Sequence, residues 1–134
     1  MVKYKLHKKG IKADIYSMID DRGKNIFEEF LSRLQTGDKK KVEALIMFLL
    51  VKGSIVNDQK YRIIKGSDVV ELKAKKQRIL THRIETNSKY KYIILSGFQK
   101  PAKKIQTRYI NSAKVFSNEI IAGNTLEVQE GKNE

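Results

Sequence analysis

The sequence predicts an α+β fold in which two N-terminal helices pack on a small antiparallel sheet and a C-terminal helix closes the domain. Three observations carry this reading. Two apolar stripes at helical spacing precede residue 53: Ile26, Phe27, Phe30, Leu31, Leu34 and then Val42, Leu45, Ile46, Leu49, Leu50. Three runs rich in β-branched and aromatic residues then follow at hairpin distances: Val69, Val70, Leu72; Ile79, Leu80, Ile84; and Tyr92, Ile93, Ile94, Leu95. A last helical stripe comprises Ile105, Tyr109, Ala113, Phe116 and Ile120. Each amphipathic helix must bury its stripe against the sheet or a neighbouring helix.

The elements read in order as follows. Residues 1–12 hold five Lys around Val2, Tyr4 and Leu6, a basic N-terminal arm or an extra edge strand. Asp14 to Ile19 reads as the first strand, and Asp20-Asp21-Arg22-Gly23 as a solvated turn. Asn25 is placed to cap the first helix, which runs to about Gln35 with Glu28 and Glu29 in its first turn, where the helix dipole favours acids. Gly37 is expected to close that helix and Asp38 to open the second, which Gly53 ends. Phe27, Phe30, Met47 and Phe48 are expected in the core. Ser54 to Tyr61 connects to the strands, and Gly97-Phe98-Gln99-Lys100-Pro101 leads into the final helix. Residues 13–122 thus form one domain, and residues 123–134 an acidic tail.

A chain of 134 residues has the length of a single domain with one core. It has no Cys, hence no disulfide and no thiolate chemistry. The basic N-terminus lacks the apolar segment of a secretory signal, and no apolar run reaches membrane-spanning length, so a cytoplasmic location is expected. The net charge of +13 is unevenly spread: Lys73 to Lys114 holds twelve Lys or Arg and one acid, Glu85. A cationic sheet and helix make a field for a polyanion, of which nucleic acid is the commonest; an acidic protein would meet the same field.

The chemistry open to such a face is restricted. Metal-dependent phosphodiester cleavage needs clustered carboxylates, and the basic stretch offers only Glu71 at its edge and Glu85. The two histidines, His7 and His82, are far apart, and neither a Gly-rich phosphate loop nor a nucleophile elbow is present. No metal and no cofactor is therefore expected. RNA, however, carries its own nucleophile in the 2′-hydroxyl, and Lys and Arg can position and stabilise the phosphate. With 22 Lys but six Arg, an Arg on the sheet is the less routine choice. Arg78 begins a strand five residues after Lys73, and a tight hairpin turns both toward one groove.

Five segments together resemble the RelE/ParE toxin superfamily, specifically its phage-derived, HigB-like branch. They are Asn25-Ile26-Phe27-Glu28-Glu29-Phe30-Leu31, Ile64-Lys65-Gly66, Val70-Glu71-Leu72-Lys73, Arg78-Ile79-Leu80 and Ile94-Leu95-Ser96-Gly97-Phe98-Gln99-Lys100. The resemblance spans roughly Asp14 to Phe116 and implies a RelE-like fold. It also implies a type II toxin–antitoxin toxin: a ribosome-dependent endoribonuclease, or mRNA interferase, that inhibits translation and is held by a helix-turn-helix, HigA-like antitoxin.

By resemblance, Arg78 falls on the strand arginine that contacts the scissile phosphate. Lys73 falls where the family usually has Arg, and Lys100 and Lys104 on the basic residues after Gly-Phe. These four form the implied catalytic set. Lys75, Lys76, Arg83, Lys103 and Arg108 join them as RNA-binding residues. Ser96 replaces the family's usual His, and Ile105-Gln106 its usual Thr-Pro. His82, an even four residues beyond Arg78, can share its face, and Tyr109 can approach from the last helix; a core place is the competing reading of each. Two other functions fit the same charge: a ParE-like protein that binds DNA gyrase, and a nucleic-acid-binding phage protein without activity.

Overall fold

The structure is a computed structural model that describes residues 1–129. Along the chain the elements are β1 (Val2–Lys9), β2 (Ala13–Ile19), α1 (Ile26–Ser32), α2 (Thr36–Lys52), β3 (Tyr61–Ile63), β4 (Val69–Ala74), β5 (Gln77–Glu85), β6 (Tyr90–Gln99), α3 (Lys103–Ile121) and β7 (Thr125–Val128). The strands make one seven-stranded sheet in the order β3-β4-β5-β6-β2-β1-β7. The pairs β2/β6 and β1/β7 are parallel; the others are antiparallel.

This corrects the expected architecture. The sheet is large and mixed rather than small and antiparallel, and two strands precede the helices. Residues 1–12 are not an appendage: β1 pairs along its length with β2, and Val2 is buried. Part of the acidic tail is also sheet, since Thr125–Val128 runs parallel to β1. Residues 130–134 lie outside the described residues. Of the two readings of residues 1–12, the extra strand is the one found; β7 is missed because its parallel pairing joins distant segments and leaves no hairpin signal.

Helices cover both faces. On one, α1 and α2 bury Phe27, Phe30, Leu45 and Leu49 against Ile15, Leu72, Ile79, Tyr92 and Ile94. On the other, α3 lies over Val69, Leu80, Ile93, Leu95 and Phe98. A sheet covered on both sides needs apolar residues at consecutive positions, as in the wholly buried run from Tyr92 to Leu95.

Local chemistry sets the helix ends. Asn25 accepts a hydrogen bond from Glu28 N at 3.1 Å and caps α1. That helix stops at Ser32, shorter than expected, where Arg33 N and Leu34 N donate back three residues in the tighter pattern of a last turn. Gly37 and Asp38 sit inside the first turn of α2 rather than dividing two helices, while Gly53, at φ +85°, ends α2. Met47 and Phe48, expected in the core, are 49% and 47% exposed. The stripe Val42, Leu45, Ile46, Leu49 and Leu50 already fills the inward side of α2 and leaves them outside.

The seating of α3 is rotated from its expected stripe. Ala113 and Ser117 are buried, with Ile110, Phe116 and Ile120 partly so, whereas Ile105 is exposed and Tyr109 covers the sheet with one ring face only. Gln106 turns inward in place of Ile105. On the opposite face, a Cβ on Gly97 would meet the Phe30 ring at 2.5 Å, so glycine is what lets α1 pack onto β6.

Candidate nucleic-acid interface

The β4–β5 turn gathers the cations. Lys73 and Arg78 are direct cross-strand partners, joined by the two-residue turn Lys75-Lys76, with Lys75 at φ +58°. Lys73 N donates to Lys60 O at 3.0 Å, and Lys100 N to Lys76 O at 2.6 Å. These bonds bring the connector before β3 and the segment between β6 and α3 to the turn. One end of the sheet therefore collects Lys60, Lys73, Lys75, Lys76, Lys100, Lys103 and Lys104. The first turn of α3 has no acid and no side-chain cap, so its dipole and free N–H groups add to the positive field.

Arg78 is the buried member, 8% exposed. Its Nη1 donates to Lys75 O at 2.6 Å and to Gln77 O at 3.0 Å, bracing the turn from within. Its Nε is buried without a hydrogen-bond partner, and Glu71 Oε2 lies 3.8 Å away. Glu71 has no exposure at all. Its Oε1 accepts from Arg62 Nε at 2.9 Å and is ion-paired with Arg62 Nη2 at 2.9 Å, and its Oε2 accepts from Gln106 Nε2 at 2.7 Å. A carboxylate fully removed from water is expensive unless paired and hydrogen-bonded, which explains the converging donors and the inward turn of Gln106. Ser96 shares the face of Phe98, two residues on, and its Oγ is also buried without a partner.

The other nominated residues divide by face. His82 does face α3, but it is 3% exposed, and its Nδ1 lies 2.6 Å from Ser117 Oγ. Burial holds its imidazole below the ordinary histidine range, against a smaller upward pull from Asp68. Four residues along a strand put it roughly 13 Å from Arg78, so it anchors α3 and does not reach the turn. Tyr109 stacks on Phe98 with ring centroids 3.9 Å apart and planes 7° off parallel, leaving 38% of the residue exposed. Arg83, an odd five residues from Arg78, lies on the opposite face. Its Nη1 donates to Tyr61 OH at 3.0 Å, and its guanidinium lies over the Tyr90 ring. Tyr61 OH is 2.8 Å from Tyr92 OH, which donates to Gly53 O. Burial pushes the Tyr92 hydroxyl far above the ordinary tyrosine range, so it stays a neutral donor. Arg108 is exposed on α3.

Glu71, Arg62 and Gln106 are the residues that sequence reasoning did not assign to the site. The one signal for Glu71 was an acid inside the apolar run Val69-Val70-Glu71-Leu72. Beside the turn, a cavity of about 640 Å³ opens between α2 and the edge of the sheet. Phe48, Leu45 and Ile55 supply apolar lining, and Lys41, Lys60, Lys73 and Lys75 supply charge. Among the described residues, no three His, Cys, Asp or Glu side chains gather as metal ligands. No helix among them is long and apolar enough to cross a membrane. No protein-family model matches the chain, and no curated protein matches it.

Proposed function

We propose that the protein is an endoribonuclease toxin of a type II toxin–antitoxin system, acting on mRNA at the ribosome in the cytoplasm. The observation that carries this reading is the pairing of Lys73 with Arg78 within a cluster of lysines, beside an acid, Glu71, that is buried and already bonded. Such an end of a sheet holds a phosphodiester by charge, and Glu71 keeps the Arg78 guanidinium oriented beneath it. In the reaction, the 2′-oxygen attacks phosphorus and the bond to the 5′-oxygen breaks. The products are a 2′,3′-cyclic phosphate and a 5′-hydroxyl, with no metal required by the balance. Kinship with the RelE/ParE toxins belongs to the same proposal. It rests on the sequence segments around Glu29, Lys65, Glu71, Arg78 and Gly97, not on the fold. The partner it implies is a HigA-like antitoxin.

One observation favours a second reading, an RNA-binding protein without cleavage: Arg78 is nearly buried and spends Nη1 on the carbonyls of its own turn. Cell-free translation with primer extension separates the two. Codon-phased cuts that appear with the wild type and not with Arg78→Ala are the expected result. Intact message despite RNA binding decides for the second reading, and gyrase-trapped DNA breaks would overturn both.

A further inference from the structure

We propose that the cleft between α2 and the edge of the sheet is a docking site for an acidic segment of a partner protein that carries an apolar anchor. That the cleft takes such a segment follows from its own lining. That the segment silences the basic sheet end rests on the reading of that end as an RNA interface.

Helical spacing builds the first wall. Lys41, Ala44, Leu45 and Phe48 lie three or four residues apart on α2 and form one stripe along it. The connector supplies Ile55, Asn57 and Gln59, and the end of β4 with its turn supplies Lys73, Ala74 and Lys75. The space between these walls is about 640 Å³, within the range of ligand sites. Phe48 is 47% exposed, so an entering apolar side chain covers ring surface that water now meets.

Charge selects the occupant. Lys41, Lys60, Lys73 and Lys75 line the cleft, and none of its lining residues is acidic. None of these four lysines is in an ion pair among the described residues. Lys73 Nζ donates to the backbone oxygen of Asp58 at 3.3 Å, a contact that leaves its charge uncompensated. Four like charges around an apolar space repel one another, and a carboxylate brought among them is attracted by all four. An exposed apolar patch rimmed by polar groups is the make-up of a protein contact, with an apolar anchor at its centre. RNA would meet the same charge. The apolar wall is mostly aliphatic, however, and Phe48 is the one ring that lines it, whereas single-strand binding draws on successive aromatic platforms.

The cleft is continuous with the basic sheet end. Lys73 is the cross-strand partner of Arg78, and Lys75 begins their turn. An acidic segment seated in the cleft therefore neutralises cations that a phosphate would use, and the two ligands compete.

The test is titration of the isotope-labelled full chain with a synthetic octapeptide that has Leu-Phe at its centre and Glu at every other position, followed by amide chemical shifts. One control peptide has Ser-Ser at the centre, and the other has Gln for every Glu. The proteins are the wild type, Phe48→Ser and Lys41→Glu, both at exposed positions. Shifts should cluster on α2 and the connector, and the full peptide should bind about tenfold or more tightly than either control. Phe48→Ser should lose about tenfold of that affinity without weakening a U octamer of RNA, and Lys41→Glu should lose several-fold. The peptide should also displace the U octamer from the wild type. Four outcomes would each overturn the docking site: no shift with the full peptide, equal binding of the Ser-Ser control, cleft shifts produced by the U octamer and lost in Phe48→Ser, or cleft shifts that follow protein concentration alone, the mark of a second copy. A U octamer that does not bind the wild type would remove the RNA reading and leave the cleft standing. Peptide and RNA bound together without loss to either would overturn the silencing alone.

Discussion

At the residue scale, Arg78 and His82 share a strand face but do opposite jobs. Arg78 is charged, braced by two carbonyls and set beside Glu71; His82 is buried against α3. Arg78→Ala should lower mRNA cleavage by ~10²–10³, the usual loss when one preorganised donor to a developing charge is removed. It should also lower stability by ~1–3 kcal/mol, because it unties the turn and strips Glu71 of a nearby cation. Growth arrest by an Arg78→Ala toxin that melts and expresses normally would take Arg78 out of the site. His82 makes a prediction about pH. Burial lowers its folded pKa below the unfolded value near ~6.5. The unfolded chain therefore takes up the proton first, so the contribution to stability is complete above ~6.5 and is lost as pH falls through the folded pKa. His7, also pulled down mainly by burial, adds in the same direction. Urea midpoints measured at neutral and mildly acidic pH should fall on acidification. His82→Gln, which can still bond Ser117, should shrink that fall without abolishing it; an unchanged difference would place His82 outside the linkage.

At the element scale, the β4–β5 hairpin decides where the cations stand. Lys75 occupies a left-handed conformation that costs a non-glycine residue ~1–2 kcal/mol. Glycine relieves this at an entropic cost of ~0.5–1 kcal/mol. Lys75→Gly should therefore be neutral to ~1 kcal/mol stabilising by thermal melt, while RNA binding loses one cation; a clear drop in melting temperature would contradict the turn geometry. This hairpin was legible in the sequence, because the short polar gap between the apolar runs ending at Leu72 and resuming at Ile79 leaves room only for a tight turn between the strands. The apolar stripes of α1 and α2 and the stop at Gly53 were legible for the same reason, their periods being local. Long-range causes hid the rest. Nothing in Val2-Lys3-Tyr4 or Thr125-Leu126 announces a parallel pairing across the whole chain. Hydropathy set Ile105 inward on α3, whereas Glu71, buried from a distant strand, draws Gln106 in instead. The site followed the same division: Lys73 opposite Arg78 was readable from spacing, but the partners Arg62 and Gln106 of Glu71 were not.

At the scale of the whole molecule, the net charge of +13 is organised by the sheet. The strand order separates the basic β4–β5 turn from the β7 edge, which carries Glu127, by most of the sheet's width. Binding to RNA at the basic end should weaken steeply with salt, because every phosphate neutralised releases condensed counterions. Replacing Lys100, Lys103 and Lys104 together with alanine should flatten the plot of log affinity against log salt by roughly 2, at ~0.7 for each single-strand phosphate contact. A slope unchanged in that variant would move the RNA path away from the start of α3. The antitoxin that the proposed function implies would have two ways to silence such a molecule. It can cover the lysines with acidic residues, in which case its complex shares the salt dependence of RNA binding. It can instead use apolar surface, and α2 offers more of that than its sequence suggested, with Met47, Phe48 and Val51 all exposed and Phe48 lining the cavity that Lys41, Lys60, Lys73 and Lys75 help to line. Because that cavity holds charge and apolar surface together, an acidic segment with apolar anchors should be held by both. Antitoxin affinity should then fall with salt less steeply than RNA affinity, and Phe48→Ser should weaken the antitoxin while leaving RNA binding intact. Parallel salt titrations of the two complexes read this directly: equal slopes with no effect of Phe48→Ser would show an inhibitor held by charge alone.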